Sequence, residues 1–153
     1  MKIRLATLDD IVVIAEMYEE FFAFHARLQP DYYNAAQEHG KYPEYIINSE
    51  KDDLIIAEID GKIAGFAHVL EEKTDPYDCI VQYKFAVCVD LYTFTAYRKM
   101  GVGTELMNAI KEWAKKRELA YIELKVLIEN DNAIRLYEHN GFNTVSQTMR
   151  LIL

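Results

Sequence analysis

The sequence predicts a mixed α/β (α+β) fold with the element order β-α-α-β-β-β-α-β-α-β. Three observations lead to this prediction. Apolar residues recur at helical spacing in residues 11–22 and again in residues 102–117. Asp60-Gly61 separates two runs of strand-forming residues, which is a strong signal for a two-residue β-hairpin. Residues 121–126 alternate between apolar and polar side chains, as a half-buried strand does.

The remaining elements have local signals of their own. Thr7 and Asp10 match a T-x-x-D cap at the start of the first helix, which we expect to end before Pro30. Gly40 and Pro43 interrupt the polar, tyrosine-rich segment that follows, so we expect one or two short helices there. The predicted strands are residues 3–6, 54–59, 62–70, 83–92, 121–126 and 144–152, and residues 71–78 form a loop.

Composition and charge narrow the classes of protein to which the chain can belong. Its 153 residues fit one domain, residues 1–153, and a hydrophobic content of 51% argues against disorder. No apolar run approaches the roughly 18 residues of a membrane span, and we expect no signal peptide after Met1. The net charge of −8 argues against a nucleic-acid partner, because such binding depends on Lys and Arg. Cys79 and Cys88 lack C-x-x-C spacing, which is typical of reduced thiols in a cytoplasmic protein.

A basic, glycine-punctuated turn precedes the second long helix and has the features of a phosphate-binding site. A helix N-terminus carries unpaired backbone N–H groups and a partial positive charge, so it can hold a pyrophosphate. Gly101 and Gly103 allow the phosphates to come close because they lack a Cβ atom. Arg98 and Lys99 add positive charge. The predicted phosphate-binding turn consists of Arg98, Lys99, Met100, Gly101, Val102, Gly103 and Thr104.

Two other phosphate motifs do not fit this turn. A Rossmann fingerprint needs G-x-G-x-x-G, but position 106 is Leu. A P-loop needs G-x-x-x-x-G-K followed by Ser or Thr, and that pattern is absent. G-x-G alone is usually only a loop. The order strand, R-x-x-G-x-G-T and helix is more specific.

Residues 130–142 form a second half-motif, N-x-x-A-x-x-x-Y-x-x-x-G-F. Asn130 or Asn132 caps a short helix that ends before the Gly-Phe pair. Asn130, Ala133 and Tyr137 lie about one and two helical turns apart, so they share one face. Taken alone, Tyr137 would be a core tyrosine, but its spacing to the other members of the motif favours a functional role.

Together the two segments resemble the acetyl-CoA site of the GNAT-type N-acetyltransferases, and the element order resembles the GNAT fold over essentially the whole chain. The resemblance implies a mixed, mostly antiparallel sheet flanked by helices, with acetyl-CoA as co-substrate and no metal. It implies transfer of an acetyl group to a primary amine of a small molecule by direct attack in a ternary complex. It also implies a homodimer, for which residues 144–152 are a candidate edge strand.

The resemblance assigns roles to single residues. In the family, the strand before the phosphate turn splays from its neighbour, and its freed backbone groups pair with pantetheine and polarise the acetyl carbonyl. The corresponding positions here are Leu91, Tyr92 and Thr93. Asn130 and Ala133 would line the pantetheine arm, and Tyr137 would protonate the departing thiolate. A phenol keeps its proton at neutral pH, so it suits the role of acid.

The sequence departs from the family at the general base. Val89-Asp90-Leu91-Tyr92 is similar to the E-D-L-Y segment of spermidine/spermine acetyltransferases, in which a Glu precedes the Asp. Val89 occupies the position of that Glu. Asp90 is not a direct substitute, because neighbouring strand residues face opposite sides of a sheet. The base could therefore be Asp90 acting through water, His68, or a residue of the loop 71–78.

The family forms its acceptor pocket largely from the first two helices, which are rich in aromatic and acidic residues here. These residues are Phe21, Phe22, Phe24, His25, Tyr32, Tyr33, Tyr42 and Tyr45, with Glu19, Glu20 and Asp31. Such a pocket would suit a polyamine, an amino acid or an amino sugar. Two alternatives stay open: acetylation of a protein N-terminus or lysine, and a non-catalytic acyl-CoA-binding domain. Val89 keeps the second alternative open, whereas Tyr137 argues against it.

Overall fold

A computed structural model describes residues 1–153 and confirms the mixed α/β class, with nine main elements in the order β-α-α-β-β-β-α-β-α. The strands are β1 (Lys2–Leu5), β2 (Asp52–Ile59), β3 (Lys62–Lys73), β4 (Lys84–Thr93) and β5 (Ile122–Leu124). The helices are α1 (Ile11–Leu28), α2 (Lys41–Ile47), α3 (Val102–Lys116) and α4 (Asp131–His139). Single 3₁₀ turns at Leu8–Asp10 and Thr95–Tyr97 precede α1 and the turn before α3. No helix combines the length and the apolar character that crossing a bilayer requires.

The five strands form one sheet in the order β1-β2-β3-β4-β5. The first four strands pair antiparallel, and β4 pairs with β5 in parallel. Asp60 and Gly61 close the β2–β3 hairpin with φ angles of 51° and 75°, as the two-residue turn signal predicted. The short β5 pairs with β4 only from Ala86 to Cys88, so the edge of β4 beyond Cys88 has no strand partner.

Helices cover both faces of the sheet. Helices α1 and α2 bury one apolar face, where Tyr18, Ile46 and Phe66 are fully buried. Helices α3 and α4 bury the other face, where Leu106 and Tyr137 pack with Cys88 and other residues of the sheet. These two cores fix both sides of β4 and thereby position the strand at which the candidate site lies.

Gly65 allows α3 to lie close to the sheet. A Cβ atom at this position would lie 2.7 Å from the carbonyl oxygen of Tyr92 and 2.7 Å from Cγ1 of Val102. Val102 is the first residue of α3. The missing side chain therefore brings the N-terminus of α3 against the end of β4.

The predicted final strand is wrong. Residues 143–153 form no regular secondary structure, and all of them are exposed. Alternating polarity stabilises a strand only when a neighbouring strand accepts its backbone hydrogen bonds and a core covers its apolar face. Neither is present here, so apolar side chains such as those of Met149 and Leu151 lie in solvent. The predicted strand 121–126 is also shorter than expected, because the pairing with β4 ends at Leu124.

Candidate active site

Six consecutive backbone N–H groups, those of residues 99–104, donate to no acceptor in the chain. The first hydrogen bond of the helix runs from the N–H of Glu105 to the carbonyl oxygen of Gly101, at 3.0 Å. No side chain caps the N-terminus of α3. Unpaired donors at the positive end of a helix form a site for an anion, and a phosphate group has the matching charge and acceptor oxygens.

The backbone of this turn is shaped by two left-handed residues. Lys99 has a φ of 64° and Gly101 has a φ of 82°. A residue other than glycine is strained at such angles, and the glycine at position 101 avoids that cost. No atom lies within 4 Å of the position that a Cβ atom on Gly101 would occupy, so the space beside the turn is open. At Gly103 the same atom would lie 3.1 Å from Leu136, because α4 packs against this turn of α3.

Arg98 is held over the aromatic residues beside the turn. Its Nε donates to the carbonyl oxygen of Thr93 at 3.5 Å. Its guanidinium lies 5.6 Å from the ring centroid of Phe24 and 5.8 Å from that of Tyr92. These are cation–π contacts, in which the negative face of each ring attracts the guanidinium of Arg98. The positive charge of Arg98 therefore stays at the junction of β4 and the phosphate-binding turn.

The backbone N–H and C=O groups of Leu91 point away from β3, toward the open edge of β4. Phe94 donates its N–H to the carbonyl oxygen of Ala64 at 3.0 Å, and Tyr92 lies opposite Phe66 in the register. Alternate residues of an antiparallel strand direct their backbone groups to the same neighbour. It follows that Leu91 and Thr93 direct theirs toward the gap beyond β5, whereas the backbone of Tyr92 faces β3. Tyr92 thus differs from the other two positions that the resemblance assigned.

Asn130 begins α4 and settles the choice between the two candidate caps. Its side-chain oxygen accepts from the N–H of Ala133 at 3.3 Å. Asn132 instead accepts from Arg135 within the helix. The side-chain NH₂ group of Asn130 donates to no acceptor in the chain.

Tyr137 projects from α4 into the core beneath β4. Its ring is buried, and its centroid lies 5.9 Å from that of Phe142. Its hydroxyl makes no hydrogen bond in the chain. Every fully buried side-chain nitrogen or oxygen has a partner, so this oxygen must reach the surface. Burial raises the pKa of Tyr137 above its ordinary value, and the nearby Cys88 and Asp90 add to that effect. The phenol therefore keeps its proton.

Asp90 lies on the opposite face of the sheet from Tyr137. Its Oδ2 atom accepts from the hydroxyl of Tyr18 at 3.0 Å and lies 3.6 Å from Nδ1 of His68. Burial is the main cause that raises the pKa of Tyr18, followed by the charge of Asp90. Tyr18 therefore stays a donor. The neutral phenol of Tyr137 and the carboxylate of Asp90 thus approach the same stretch of β4 from its two faces.

A β-bulge, which the sequence did not reveal, produces this arrangement. In the register between β3 and β4, Asp90 lies opposite His68 and Cys88 lies opposite Val69, so Val89 has no partner. An extra residue in one strand reverses the alternation of side chains beyond it. Cys88 consequently packs under α3, whereas Asp90 faces α1. No local composition signal marks a bulge, and only the pairing with β3 exposes it.

The aromatic residues predicted for the acceptor pocket divide into two groups. Phe21 and Phe22 pack around the buried ring of Tyr18, and Tyr42 contacts it edge-on at 5.2 Å. By contrast, Tyr32 and Tyr45 are exposed. Acidic groups also line this side, where Glu20 accepts from the hydroxyl of Tyr92 at 2.9 Å and Glu19 accepts from the N–H of Glu38 at 3.0 Å. Burial is the main cause that raises the pKa of Tyr92, with the contact to Glu20 second.

Known proteins resemble this chain in sequence and in fold. The chain is 29% identical over 145 residues to an uncharacterised N-acetyltransferase of Methanocaldococcus jannaschii; the match covers 92% of this chain but only 59% of that protein. A crystallised mutant of the BH1408 protein of Bacillus halodurans has the same fold, with a TM-score of 0.94, 24% identity and full coverage of both chains. An aminoglycoside N-acetyltransferase in complex with CoA aligns with a TM-score of 0.75 and 16% identity over 99% of this chain and 98% of that one.

The model of the acetyltransferase (GNAT) family matches residues 14–142. This segment contains the phosphate-binding turn, the open edge of β4, and α4 with Tyr137. On this match the chain belongs to the GNAT family of acetyltransferases.

Proposed function

We propose that residues 1–153 act as a single acetyl-CoA-dependent N-acetyltransferase domain that acetylates a primary amine of a small molecule. One observation carries the proposal: α3 begins with six unpaired N–H donors, and α4, whose Tyr137 has an unpartnered hydroxyl, packs against this first turn of α3 through Leu136. A phosphate-binding turn and a neutral acid are the two parts that acyl transfer from a CoA thioester needs. Membership of the GNAT family supports the same reaction.

In this proposal the chain holds acetyl-CoA with backbone groups more than with side chains. The N–H groups of residues 99–104 bind the pyrophosphate, and Arg98 and Lys99 add charge. The backbone of Leu91 and Thr93 binds the pantetheine arm along the open edge of β4, and Asn130 and Ala133 line the other wall. One structural relative, an aminoglycoside N-acetyltransferase, has been solved in complex with CoA, which is compatible with this assignment.

The catalytic steps divide between the two faces of the sheet. Asp90 accepts the proton that the substrate ammonium must lose before its nitrogen can attack, directly or through one water. The N–H of Leu91 stabilises the negative charge that develops on the thioester carbonyl oxygen. Tyr137 donates its proton to the sulfur when the tetrahedral intermediate collapses, and the second proton that the amine nitrogen releases as it becomes an amide returns to the phenolate through water. Attack in a ternary complex needs no acylated side chain. The thiol in this region, that of Cys88, is a poor nucleophile because burial raises its pKa to about 12.

Acidic and aromatic groups favour a cationic amine as the acceptor. Glu20 and Asp90 border the cluster that Tyr18, Phe21 and Tyr92 form. Carboxylates attract an ammonium group, and aromatic faces attract the same charge through their quadrupole. The net charge of −8 adds a long-range attraction for cations. We therefore favour a polyamine, an amino sugar or an amino acid over a peptide substrate.

A homodimer and a cytoplasmic location complete the proposal. Residues 143–153 expose five large apolar side chains, those of Val145, Met149, Leu151, Ile152 and Leu153. A group of exposed apolar residues of this size is typical of a protein–protein contact, which supports association of two copies. Both cysteines are free thiols, as expected in a reducing compartment. Light scattering at tens of micromolar tests the dimer, and a monomeric mass would contradict it.

The direct test is CoA release from acetyl-CoA in the presence of a panel of amines. The panel contains spermidine, an aminoglycoside, several amino acids and a peptide with a free N-terminus. Because Cys79 is an exposed thiol that would react with thiol reagents, CoA is followed by chromatography or in a Cys79→Ser variant. We expect release with at least one small amine and none with the peptide. Tight binding of acetyl-CoA without any release would instead favour a non-catalytic acyl-CoA-binding domain.

A further inference from the structure

Behind Asp90, a buried histidine lies between two carboxylates of neighbouring strands. His68 is 2% exposed and lies on β3. Its Nε2 atom lies 2.8 Å from Oδ1 of Asp52 on β2, and its Nδ1 atom lies 3.6 Å from Oδ2 of Asp90 on β4. The catalytic proposal above uses only Asp90, so it leaves His68 and Asp52 without a role.

Two tyrosines complete the surroundings of the His68 ring. The hydroxyl of Tyr42 on α2 lies 3.2 Å from Nδ1, and the hydroxyl of Tyr18 on α1 donates to Asp90. Burial raises the pKa of Tyr42, as it does for Tyr18, so both hydroxyls stay protonated. Glu38 is a further charged group near the two phenols. The polar groups around the ring therefore come from α1, α2, β2 and β4.

The hydrogen-bond pattern is complete for a neutral ring and also for a charged one. In the neutral ring, Nε2–H donates to Asp52 and Nδ1 accepts from the hydroxyl of Tyr42. In the charged ring, Nε2–H still donates to Asp52 and Nδ1–H donates to the hydroxyl oxygen of Tyr42, while the carboxylate of Asp90 lies 3.6 Å from Nδ1. A site that satisfies both protonation states can take up a proton without rearranging the fold.

We propose that His68 is the proton acceptor behind Asp90, and that Asp52 is a positioning residue that fixes the orientation of the ring. This inference rests on the proposed function. The substrate ammonium loses one proton through Asp90, and Nδ1 of neutral His68 gains it. The resulting imidazolium lies between two carboxylates and returns the proton to water after the acetylated product leaves. One proton moves at each step, and no group is oxidised or reduced.

Asp52 is itself held in position and reaches the surface. Its Oδ2 atom accepts from the hydroxyl of Ser49 at 2.5 Å, and the backbone N–H of Asp52 donates to Oγ of Ser49 at 3.2 Å. The side chain of Asp52 is 11% exposed. A carboxylate fixed on one side by a serine orients the ring on its other side, much as an acidic residue orients a catalytic histidine.

The test compares Asp52→Asn with Asp53→Asn. The two aspartates are adjacent on β2 and lose the same charge, but Asp53 binds Trp113 and Arg117 on the other face of the sheet. NMR of the full chain follows the titration of the His68 ring, which His68→Gln identifies among the four histidines. We expect Asp52→Asn to move the titration midpoint to lower pH by about one unit or more, because an opposite charge in contact with the ring is lost. Asp53→Asn should leave the midpoint in place.

The kinetic arm uses an amine that the panel identifies as a substrate. In Asp52→Asn the acidic limb of the pH profile of kcat should move in the same direction, while the KM for acetyl-CoA stays unchanged. Ser49→Ala serves as a second variant should Asp52→Asn fail to fold. Loss of the Ser49 donor leaves more negative charge on Asp52, so the midpoint should move slightly to higher pH.

Each outcome decides one of the two proposals. If neither Asp52→Asn nor Ser49→Ala moves the titration midpoint of the His68 ring, Asp52 is not the residue that positions the ring. If the titration midpoint of His68 moves but the acidic limb of the pH profile of kcat does not, His68 is not the proton acceptor. If wild-type protein acetylates no amine, the proposed function fails, and the NMR arm alone still shows whether Asp52 controls the ring.

Discussion

Replacing Tyr137 with Phe tests the proposed acid with little disturbance of the fold. The ring of Tyr137 is buried against Phe142 and Cys88, and Phe retains that packing. The hydroxyl makes no hydrogen bond in the chain, so its removal leaves no buried partner unsatisfied. We therefore expect the free energy of unfolding to change by less than about 0.5 kcal/mol.

The same substitution should strongly reduce turnover. One acid–base group contributes about 10²-fold or more to the rate, which corresponds to about 2.7 kcal/mol in the barrier. We expect kcat to fall by at least that factor, while the affinity for acetyl-CoA stays within about twofold. Because burial raises the pKa of Tyr137 above 10, the wild-type rate should not decline through ionisation of this phenol up to pH 10.

Tyr121→Phe is the matched control for this experiment. The hydroxyl of Tyr121 also makes no hydrogen bond in the chain, and its ring stacks on Phe85 at 4.9 Å, away from the phosphate-binding turn. Both variants lose one unpartnered hydroxyl, but only Tyr137→Phe should lose activity. Wild-type turnover in Tyr137→Phe would show that Tyr137 is not the acid and that the thiolate takes its proton from water.

Three further predictions address the cofactor turn, the base and the stability of the fold. Gly101→Val should abolish measurable acetyl-CoA binding in calorimetry, whereas Gly61→Val, at an equally left-handed and open position in the β2–β3 turn, should cost similar stability and leave binding intact. Asp90→Asn should lower kcat with little change in acetyl-CoA affinity; wild-type turnover would remove Asp90 from the mechanism. The hydrogen bond from Arg4 lowers the pKa of Asp10 from 3.8 to about 2. The stability that this carboxylate adds is therefore present above pH 4 and lost as the pH falls toward 2. Chemical denaturation should show that loss in wild type and a flatter profile in Asp10→Asn.

The features that local sequence determines were predicted well. The hairpin at Asp60-Gly61, the cap of α4 and the start of α3 after Gly101 depend on residues within one turn of each other. For the cap the sequence left Asn130 and Asn132 open, and the structure uses Asn130. Each of these signals has a direct steric or hydrogen-bonding cause, so a single sequence is enough to reveal it. The mixed fold class follows from their order along the chain.

Features that depend on distant residues were not predicted. The bulge at Val89 exists because β4 must pair with β3 on both sides of it, and this bulge alone brings Asp90 to the face of Tyr18 and His68. Asp52 comes near His68 only through the register of β2 and β3. The prediction of a final strand is wrong for the same reason. Residues 144–152 alternate as a strand should, but no neighbouring strand accepts their hydrogen bonds.

Calorimetric titration of acetyl-CoA into the purified chain tests directly whether residues 99–104 bind the cofactor phosphates. We expect saturable binding without added metal, because the donors of residues 99–104 and the charge of Arg98 and Lys99 form the phosphate site. The paired titration of Gly101→Val should give no heat of binding at the same concentrations. If wild type fails to bind millimolar acetyl-CoA, or if Gly101→Val binds it equally well, this turn is not the phosphate site.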